Sequence, residues 1–380
     1  MIYLDAAATT KVSKEVVEAM LPYFTEQYGN PGSVHTVGRK AARAVARARE
    51  QIARTINADP EQIIFTSGGS EANTMALLGV AEYLMKKEKT HIIVSSVEHH
   101  SVLSCIKQLF DKGFEITYLP TYKNGWICPD DVRNAIKQNT GLVSVMTVNN
   151  EIGNLYDVDS IADICKENGV LFHTDFVQAY GNIDVDVNDD CANVDFLSVS
   201  GHKIHAPKGI GFLYAKDKSI LSPVVQGGGQ EFGLRGGTEN VPYIVGLGIA
   251  AEIAYTDLET NNDFYKNVRE LFIKKIKRHL DGVHENGAPF LCSKIVNLTF
   301  DGVDGETLLL LLDAKGVSVS AGSACSAHSA VPSHVLTAIG LTDKQARSSI
   351  RISFPDDISF EEVGNAADII IDSVKQLREG

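Results

Sequence analysis

The chain is short of the side chains that would mark a metal, a disulfide or a membrane protein. It has one tryptophan, five methionines and six cysteines in 380 residues. Cys105, Cys128, Cys165, Cys191, Cys292 and Cys325 lie far apart with no CxxC pair. That spacing argues against a zinc site and against a disulfide framework, so no metal is expected. The expected compartment is a reducing cytoplasm. A spanning helix needs roughly 20 apolar residues, and the longest apolar stretches, Tyr243–Ala251 and Leu308–Leu312, fall well short. No membrane association is expected. Met1-Ile2-Tyr3-Leu4-Asp5 lacks the basic region and apolar run of a secretion signal. Positive charge is scarce as well, with 35 basic residues against 48 acidic ones and a net charge of −13. A chain built to grip nucleic acid carries the opposite sign, so direct nucleic-acid binding is excluded as its main task. The one dense basic stretch, Arg39 to Arg54, sits among alanines. It reads as the solvated face of a helix, with phosphate binding by one arginine as the lesser alternative.

What is present is the balance of a globular protein, 44% hydrophobic and 22% charged, which excludes large-scale disorder. The length suits one large α/β domain with a smaller one attached. Apolar runs predict strands at Gln62–Thr66, His91–Val97, Glu115–Leu119, Leu142–Val148, Val170–Asp175, Val194–Ser200 and Gly209–Tyr214. Helical patterns such as Ser70–Lys86, Pro129–Lys137 and Asp159–Glu167 separate several of them. Near-continuous apolar strands alternating with helices predict a mostly parallel central sheet flanked by helices. Beyond about residue 250 the pattern changes to a long polar helix (Glu252–His279), a strand (Lys294–Phe300) and a final helix near Phe360–Leu377. The expectation is a large domain over 14–250 and a smaller α+β domain from 1–13 with 251–380.

In parallel sheets chemistry gathers at the carboxyl ends of strands. The first such end reads Thr66-Ser67-Gly68-Gly69-Ser70, either an anion cradle at a helix start or a plain turn capped by Ser70. It is neither a Rossmann GxGxxG nor a P-loop. Further ends carry Glu98-His99-His100, Asn149-Asn150-Glu151 and Asp175-Phe176-Val177-Gln178. Taken singly, a residue such as Asp175 is most often a helix cap or a satisfied turn residue. Ser200-Gly201-His202-Lys203 is more specific. A lysine among small residues between two strands is a poor surface lysine and a good candidate for Schiff-base chemistry. Cys325, in Ser320-Ala321-Gly322-Ser323-Ala324-Cys325-Ser326-Ala327, has little around it to pack against and reads as a reactive thiol.

Together these segments resemble the pyridoxal-phosphate enzymes of fold type I, and among them the NifS/IscS-like cysteine desulfurases. The likeness runs over nearly the whole chain. It includes Tyr3-Leu4-Asp5, Gly29-Asn30-Pro31-Gly32-Ser33, Gly227-Gly228-Gly229-Gln230-Glu231 through Arg235-Gly236-Gly237-Thr238, Gly322-Ser323-Ala324-Cys325 and Ser348-Ser349-Ile350-Arg351.

The resemblance implies roles by position. Lys203 would bind pyridoxal phosphate covalently. Asp175 would pair with the ring nitrogen, His99 would stack on the ring, and Gln178 would bond its phenolic oxygen. Gly69, Ser70, Ser200 and His202 would hold the phosphate, with Thr238 reaching in from the partner of a homodimer. Asn150 and Arg351 would receive the substrate carboxylate. The freed Lys203 amine would then remove the Cα proton of L-cysteine, helped by His99, and Cys325 would take the sulfur as a persulfide while alanine departs. A sulfur-acceptor protein would follow, in iron–sulfur cluster assembly, tRNA thiolation or a dedicated cofactor pathway. The cofactor turn departs from many members in reading Gly69-Ser70 rather than Ala-Thr, and Ile352-Ser353 stands where a Gly-Arg pair is common. A related aminotransferase or selenocysteine lyase would share Lys203 and Asp175 without needing Cys325 in a mobile loop, and a non-catalytic sulfur-carrier scaffold would have no reason to keep Lys203, Asp175 and His99 together.

Overall fold

The structure is a computed structural model that describes residues 1–321 and 332–379. In chain order the strands are β1 (Ile2–Tyr3), β2 (Ile63–Thr66), β3 (His91–Ser95), β4 (Glu115–Leu119), β5 (Thr140–Ser144), β6 (Leu171–Asp175), β7 (Phe196–Ser200), β8 (Gly211–Ala215), β9 (Val283–Glu285), β10 (Ile295–Phe300), β11 (Val317–Ser318) and β12 (Ser349–Ser353). Strands β2 to β8 are the seven that the apolar runs predict. They form one sheet in the order β2-β8-β7-β6-β5-β3-β4. Strands β3 to β7 pair in parallel, while β8 runs antiparallel to both β2 and β7.

Successive residues of a strand point to opposite faces, and the two faces feed separate cores. Ile63, Phe65, Ile93, Phe212 and Tyr214 enter one core; Ile64, Ile92, Val94, Leu213 and Ala215 enter the other. Helices cover both faces, so β2, β3, β5, β7 and β8 are buried at every residue. That is why they read as continuous apolar runs rather than alternating ones. The edge strand β4 is the exposed exception.

On the first face, helix Thr36–Thr55 buries Ala41, Ala44, Ala48 and Ile52, and helix Val241–Thr256 buries Ile244, Leu247 and Ala251 beside it. Arg39, Lys40, Arg43 and Arg47 form the solvated face expected of the basic stretch. Arg49 departs from that expectation. Its guanidinium makes a two-pronged pair with Glu231 at 2.6 and 2.9 Å and packs on the Phe65 ring.

Strands β9, β10 and β12 make a separate antiparallel sheet. Its core joins Val296, Leu298, Ile350 and Ile352 to Phe272 and Ile370 of two helices, Leu258–His279 and Phe360–Glu379. Leu4 lies in that core, and β1 pairs with β11, so the N-terminal segment is tied to this sheet. The single helix expected over Glu252–His279 is instead two helices meeting at 66° around Asp257. The first is apolar nearly all round and belongs to the large core, while the second buries one stripe in the other core. The bend carries the chain between them. The expected helix Ser70–Lys86 is likewise Gly69–Gly79 followed by Ala81–Lys86, with the Gly79 carbonyl taken by Ser222 N–H at 2.8 Å. Among the described residues no single helix is long and apolar enough to cross a membrane.

The reversed β8 sets its first residue, Gly211, opposite both Thr66 and Ser200. A Cβ there would lie 2.3 Å from the Val199 carbonyl oxygen and 2.8 Å from Gly68 Cα, both backbone atoms that have little room to yield. The Gly211→Ala variant should therefore lose about 1–3 kcal/mol of stability. Urea unfolding reads this as a lower midpoint, and a midpoint equal to wild type would contradict the close packing.

Candidate active site

Strands β6 and β7 end at Asp175 and Ser200, side by side at the carboxyl edge of the sheet. Beside them helix Gly69–Gly79 begins directly after β2. Its N-cap Gly68 has φ +149° and ψ −177°, a region only glycine enters freely, and provides no capping side chain. The first-turn N–H groups of that helix therefore have no side-chain cap. A Cβ at Gly69 would strike Val177 at 2.6 Å, so the turn can sit this close only without a side chain.

Gly69, Ser70, His99, Asn150, Asp175, Gln178, Ser200, His202, Lys203 and Arg351 line one cavity of about 180 Å³. Thr238 does not; it is exposed on the Gly236–Gly237 turn. Cys325 lies outside the described residues. The described residues on either side of it are anchored near the cavity. Ser320 Oγ donates to Asp5 Oδ2 at 2.8 Å, and Ser333 Oγ bonds the Glu151 carboxylate.

Each carboxylate oxygen of Asp175 takes a hydrogen bond, Oδ1 from Val177 N–H at 3.0 Å and Oδ2 from Asn73 Nδ2 at 2.8 Å. Asp175 is only 5% exposed, and the Oδ1 of its partner Asn73 is buried with no partner of its own. Lys203, in the short 3₁₀ turn Gly201–Lys203, donates from Nζ to the carbonyls of Ala7 and Ala8 at 2.6 and 2.8 Å. Gln178 donates to the same Ala7 carbonyl at 2.9 Å. Arg351 is 1% exposed, with one terminal nitrogen on Asp5 Oδ1 and the other on the Asn150 carbonyl, both at 2.8 Å. Its Nε is buried without a partner.

His99 caps helix His100–Asp111, its Nδ1 accepting from Ser101 N–H at 3.1 Å. Burial pushes its pKa below the ordinary histidine value. The Asp175 charge pulls the other way, and Lys203 adds to the lowering. Burial also pushes His202 down to about 4, with Lys203 and Lys208 contributing. Both rings are therefore neutral near pH 7.

Reading the sequence did not single out Asn73, the partner of Asp175. Its signal was a polar residue three positions after Ser70, on the same helix face. Asp5 and Glu98 stood inside noted segments without a role. Glu98 is fully buried, and its Oε1 accepts from Ser95 Oγ at 2.6 Å and Met146 N–H at 2.8 Å, while Oε2 has no partner. Met146 lines the cavity. Burial raises the Glu98 carboxyl to about 8, and the Asp175 charge adds to the rise despite the two hydrogen bonds.

The donor set fits pyridoxal phosphate. An uncapped helix start with small hydroxyl residues suits a phosphate, a braced carboxylate suits a protonated ring nitrogen, and a lysine amine suits an aldehyde. The unpartnered Nε of Arg351 suits a carboxylate. Among the described residues no group of three His, Cys, Asp or Glu side chains is placed to hold a metal ion.

Comparison with known proteins follows the same line. Residues 2–365 match the family described as aminotransferase class-V. The chain is 43% identical over 381 residues to the cysteine desulfurase IscS of Clostridium botulinum, covering 100% of this chain and 95% of that one. A solved NifS-like protein superposes with a TM-score of 0.92 at 34% identity, covering 99% of both chains. SspA in complex with cysteine gives a TM-score of 0.83 at 39% identity, over 94% of this chain and 99% of the other.

The buried Glu98 generates a pH prediction. Its folded pKa lies above the unfolded value of roughly 4.3. Its contribution to stability is therefore complete below pH ~4.3 and is lost as the pH rises through about 8. The Glu98→Gln variant keeps an oxygen for Ser95 and Met146 but has no proton to lose. Relative to wild type it should gain stability steadily between pH 5 and 8, on the order of a few kcal/mol. Urea titrations of both proteins across that range test this, and a difference independent of pH would refute it.

Proposed function

The chain belongs to the class-V aminotransferase family, and from that premise we propose how its cavity works. The protein is a pyridoxal-phosphate-dependent cysteine desulfurase, taking sulfur from L-cysteine to give L-alanine and an enzyme-bound persulfide. The observation that carries the residue assignment is the convergence of Lys203, Asp175 and an uncapped helix start on one cavity.

When bound, pyridoxal phosphate supplies an electrophilic carbon for the cysteine amine and a protonated ring that draws electron density from Cα. Gly69, Ser70 and Ser200 bind its phosphate, and the neutral His202 adds a hydrogen bond rather than a charge. Asp175 holds the ring nitrogen's proton, since an opposite charge at contact distance favours the cation. Asn73 and Val177 keep that carboxylate aimed. One N–H of the Gln178 amide is spent on Ala7, and the second serves the phenolic oxygen. Lys203 would hold the cofactor through its amine, and the same Nζ is the group that would move the proton at Cα. His99 would lie against the cofactor ring. With Nδ1 engaged by Ser101, its Nε2 is the nitrogen that handles protons. Arg351, through Nε, and Asn150 receive the substrate carboxylate.

Cys325 then attacks as the thiolate. An S–S bond forms as the Cβ–S bond of the substrate breaks, and the electron pair stays with the fragment that leaves as alanine. The protein acts as a homodimer in which Thr238, exposed and away from its own chain's cavity, completes the phosphate site of the second copy. Residues 14–250 form the cofactor-holding domain, and 1–13 with 251–380 form the smaller one that presents Cys325. The persulfide passes to a sulfur-acceptor protein in the cytoplasm, for iron–sulfur cluster assembly or for tRNA or cofactor thiolation.

The purified protein with pyridoxal phosphate should be yellow, and Lys203→Ala should lose the band of the covalently held cofactor. Brief exposure to cysteine should add the mass of one sulfur at Cys325. The Cys325→Ala variant should keep the colour and lose alanine production, by at least ~100-fold given the dependence on a positioned nucleophile. Sustained turnover in that variant would remove Cys325 from its role.

A further inference from the structure

A second cavity, of about 740 Å³, opens between the two sheets. Its wall on the large-sheet side includes Val12, Ile204, His205, Ala250 and Ala254. Facing them are Tyr265 of helix Leu258–His279, Lys294 just before β10, and Asp356. Ile204 and His205 directly follow Lys203 in the chain.

Lys294 is the feature without an explanation. It is 5% exposed, and among the described residues its Nζ has neither a hydrogen bond nor a carboxylate within 4.0 Å. Its Nζ lies 5.4 Å from the centroid of the Tyr265 ring, and the neighbouring Cys292 thiol also acts on it electrostatically. Asp356 attracts it from farther away but is already paired with His205 Nε2 at 3.1 Å. Of the other lysines on this cavity, Lys11 has Asp357 and Lys14 has Glu18. A buried ammonium left without an anion is costly to keep. Burial accordingly pulls the Lys294 pKa below that of an ordinary lysine.

We infer that this cavity is a second binding site, for a small monocarboxylate with an apolar body, its carboxylate paired with Lys294. One unpaired cation calls for one negative charge, and Glu15 and Asp257 on the same cavity disfavour a second. Val12, Ile204, Ala250, Ala254 and the Tyr265 ring supply the apolar wall. The volume lies within the range of sites that hold small organic ligands. Lys203 and the two residues that follow it line this cavity, whereas Asp175 and Arg351 line only the other. This site is independent of the desulfurase assignment.

Benzoate titrated calorimetrically into the holoenzyme tests it. Wild type and two variants, Lys294→Met and Lys294→Arg, share an intact active site, so any binding there is common background. A component present in wild type should weaken at least about tenfold in Lys294→Met, the loss expected for a charge-assisted bond. It should stay within about threefold in Lys294→Arg. Lys294→Met removes a buried charge for a similar volume, so it should melt at or above wild type and keep its cysteine turnover. Coincident isotherms for wild type and Lys294→Met, or no benzoate component in wild type, would overturn the site. Loss of turnover in wild type is a separate result and would bear on the desulfurase reading alone.

Discussion

One buried guanidinium ties the molecule together. Arg351 belongs to β12, whose Ile350 and Ile352 enter the smaller sheet's core, yet its own side chain bonds Asp5 of the N-terminal segment and the Asn150 carbonyl at the mouth of the large sheet. Asp5 also holds Ser320, whose backbone pairs with that of Arg351 in both directions. Four stretches of chain distant in sequence thus meet on two charges. Removing one partner of a buried pair leaves the other charge stranded, at a cost typically near 3–5 kcal/mol. The same two charges fix where the cavity lies between the sheets. The pair therefore sets the relative position of the lysine-bearing turn and the segment that leads to Cys325. It also leaves one guanidinium nitrogen over for a ligand.

Around that junction the site manages charge mainly by burial. His99 and His202 are driven towards neutrality, so the proposed phosphate pocket offers dipoles and N–H groups with little added formal charge. Asp175 keeps its usefulness by having both oxygens engaged, which makes its orientation depend on Asn73 and the Val177 turn rather than on a cation. Glu98 shows the alternative outcome. A carboxyl with one unpartnered oxygen in the same buried neighbourhood is pushed towards its protonated form and acts through the backbone it holds at Met146.

Legibility from sequence followed the same division. The seven strands of the large sheet were readable because burial on both faces writes them as apolar runs, and the site residues at their carboxyl ends stood out as polar interruptions. The reversal of β8 left no such trace, since a buried antiparallel strand has the same composition as a buried parallel one. The bend at Asp257 was hidden because neither glycine nor proline marks it; it exists to pass the chain from one core to another. Arg49 was indistinguishable from its exposed neighbours, because its partner Glu231 is remote in sequence. Lys294 shows the limit from the other side. Nothing about one lysine ahead of a strand announces that it will be enclosed without a counter-ion.

The turn that carries Lys203 explains how one residue can serve two purposes at nearly one point. Its base is clamped where Ser200 pairs with Gly211, and Gly201 N–H donates to the Ile210 carbonyl at 3.0 Å. Its tip is laced to the N-terminal segment. Thr10 N–H donates to the His202 carbonyl, His205 N–H to Thr10 Oγ1, and Ser13 N–H to the His205 carbonyl. The backbone is thus fixed on both sides, and His205 is held at φ +65° at the tip. The lysine side chain rests on the Ala7 and Ala8 carbonyls of that same N-terminal segment. An amine proposed to hold a cofactor and then carry a proton beside it needs a small, repeatable swing from a rigid base. The N-terminal segment supplies both the base and the resting place, which sets so short a stretch of chain, outside the large sheet, beside the proposed chemistry.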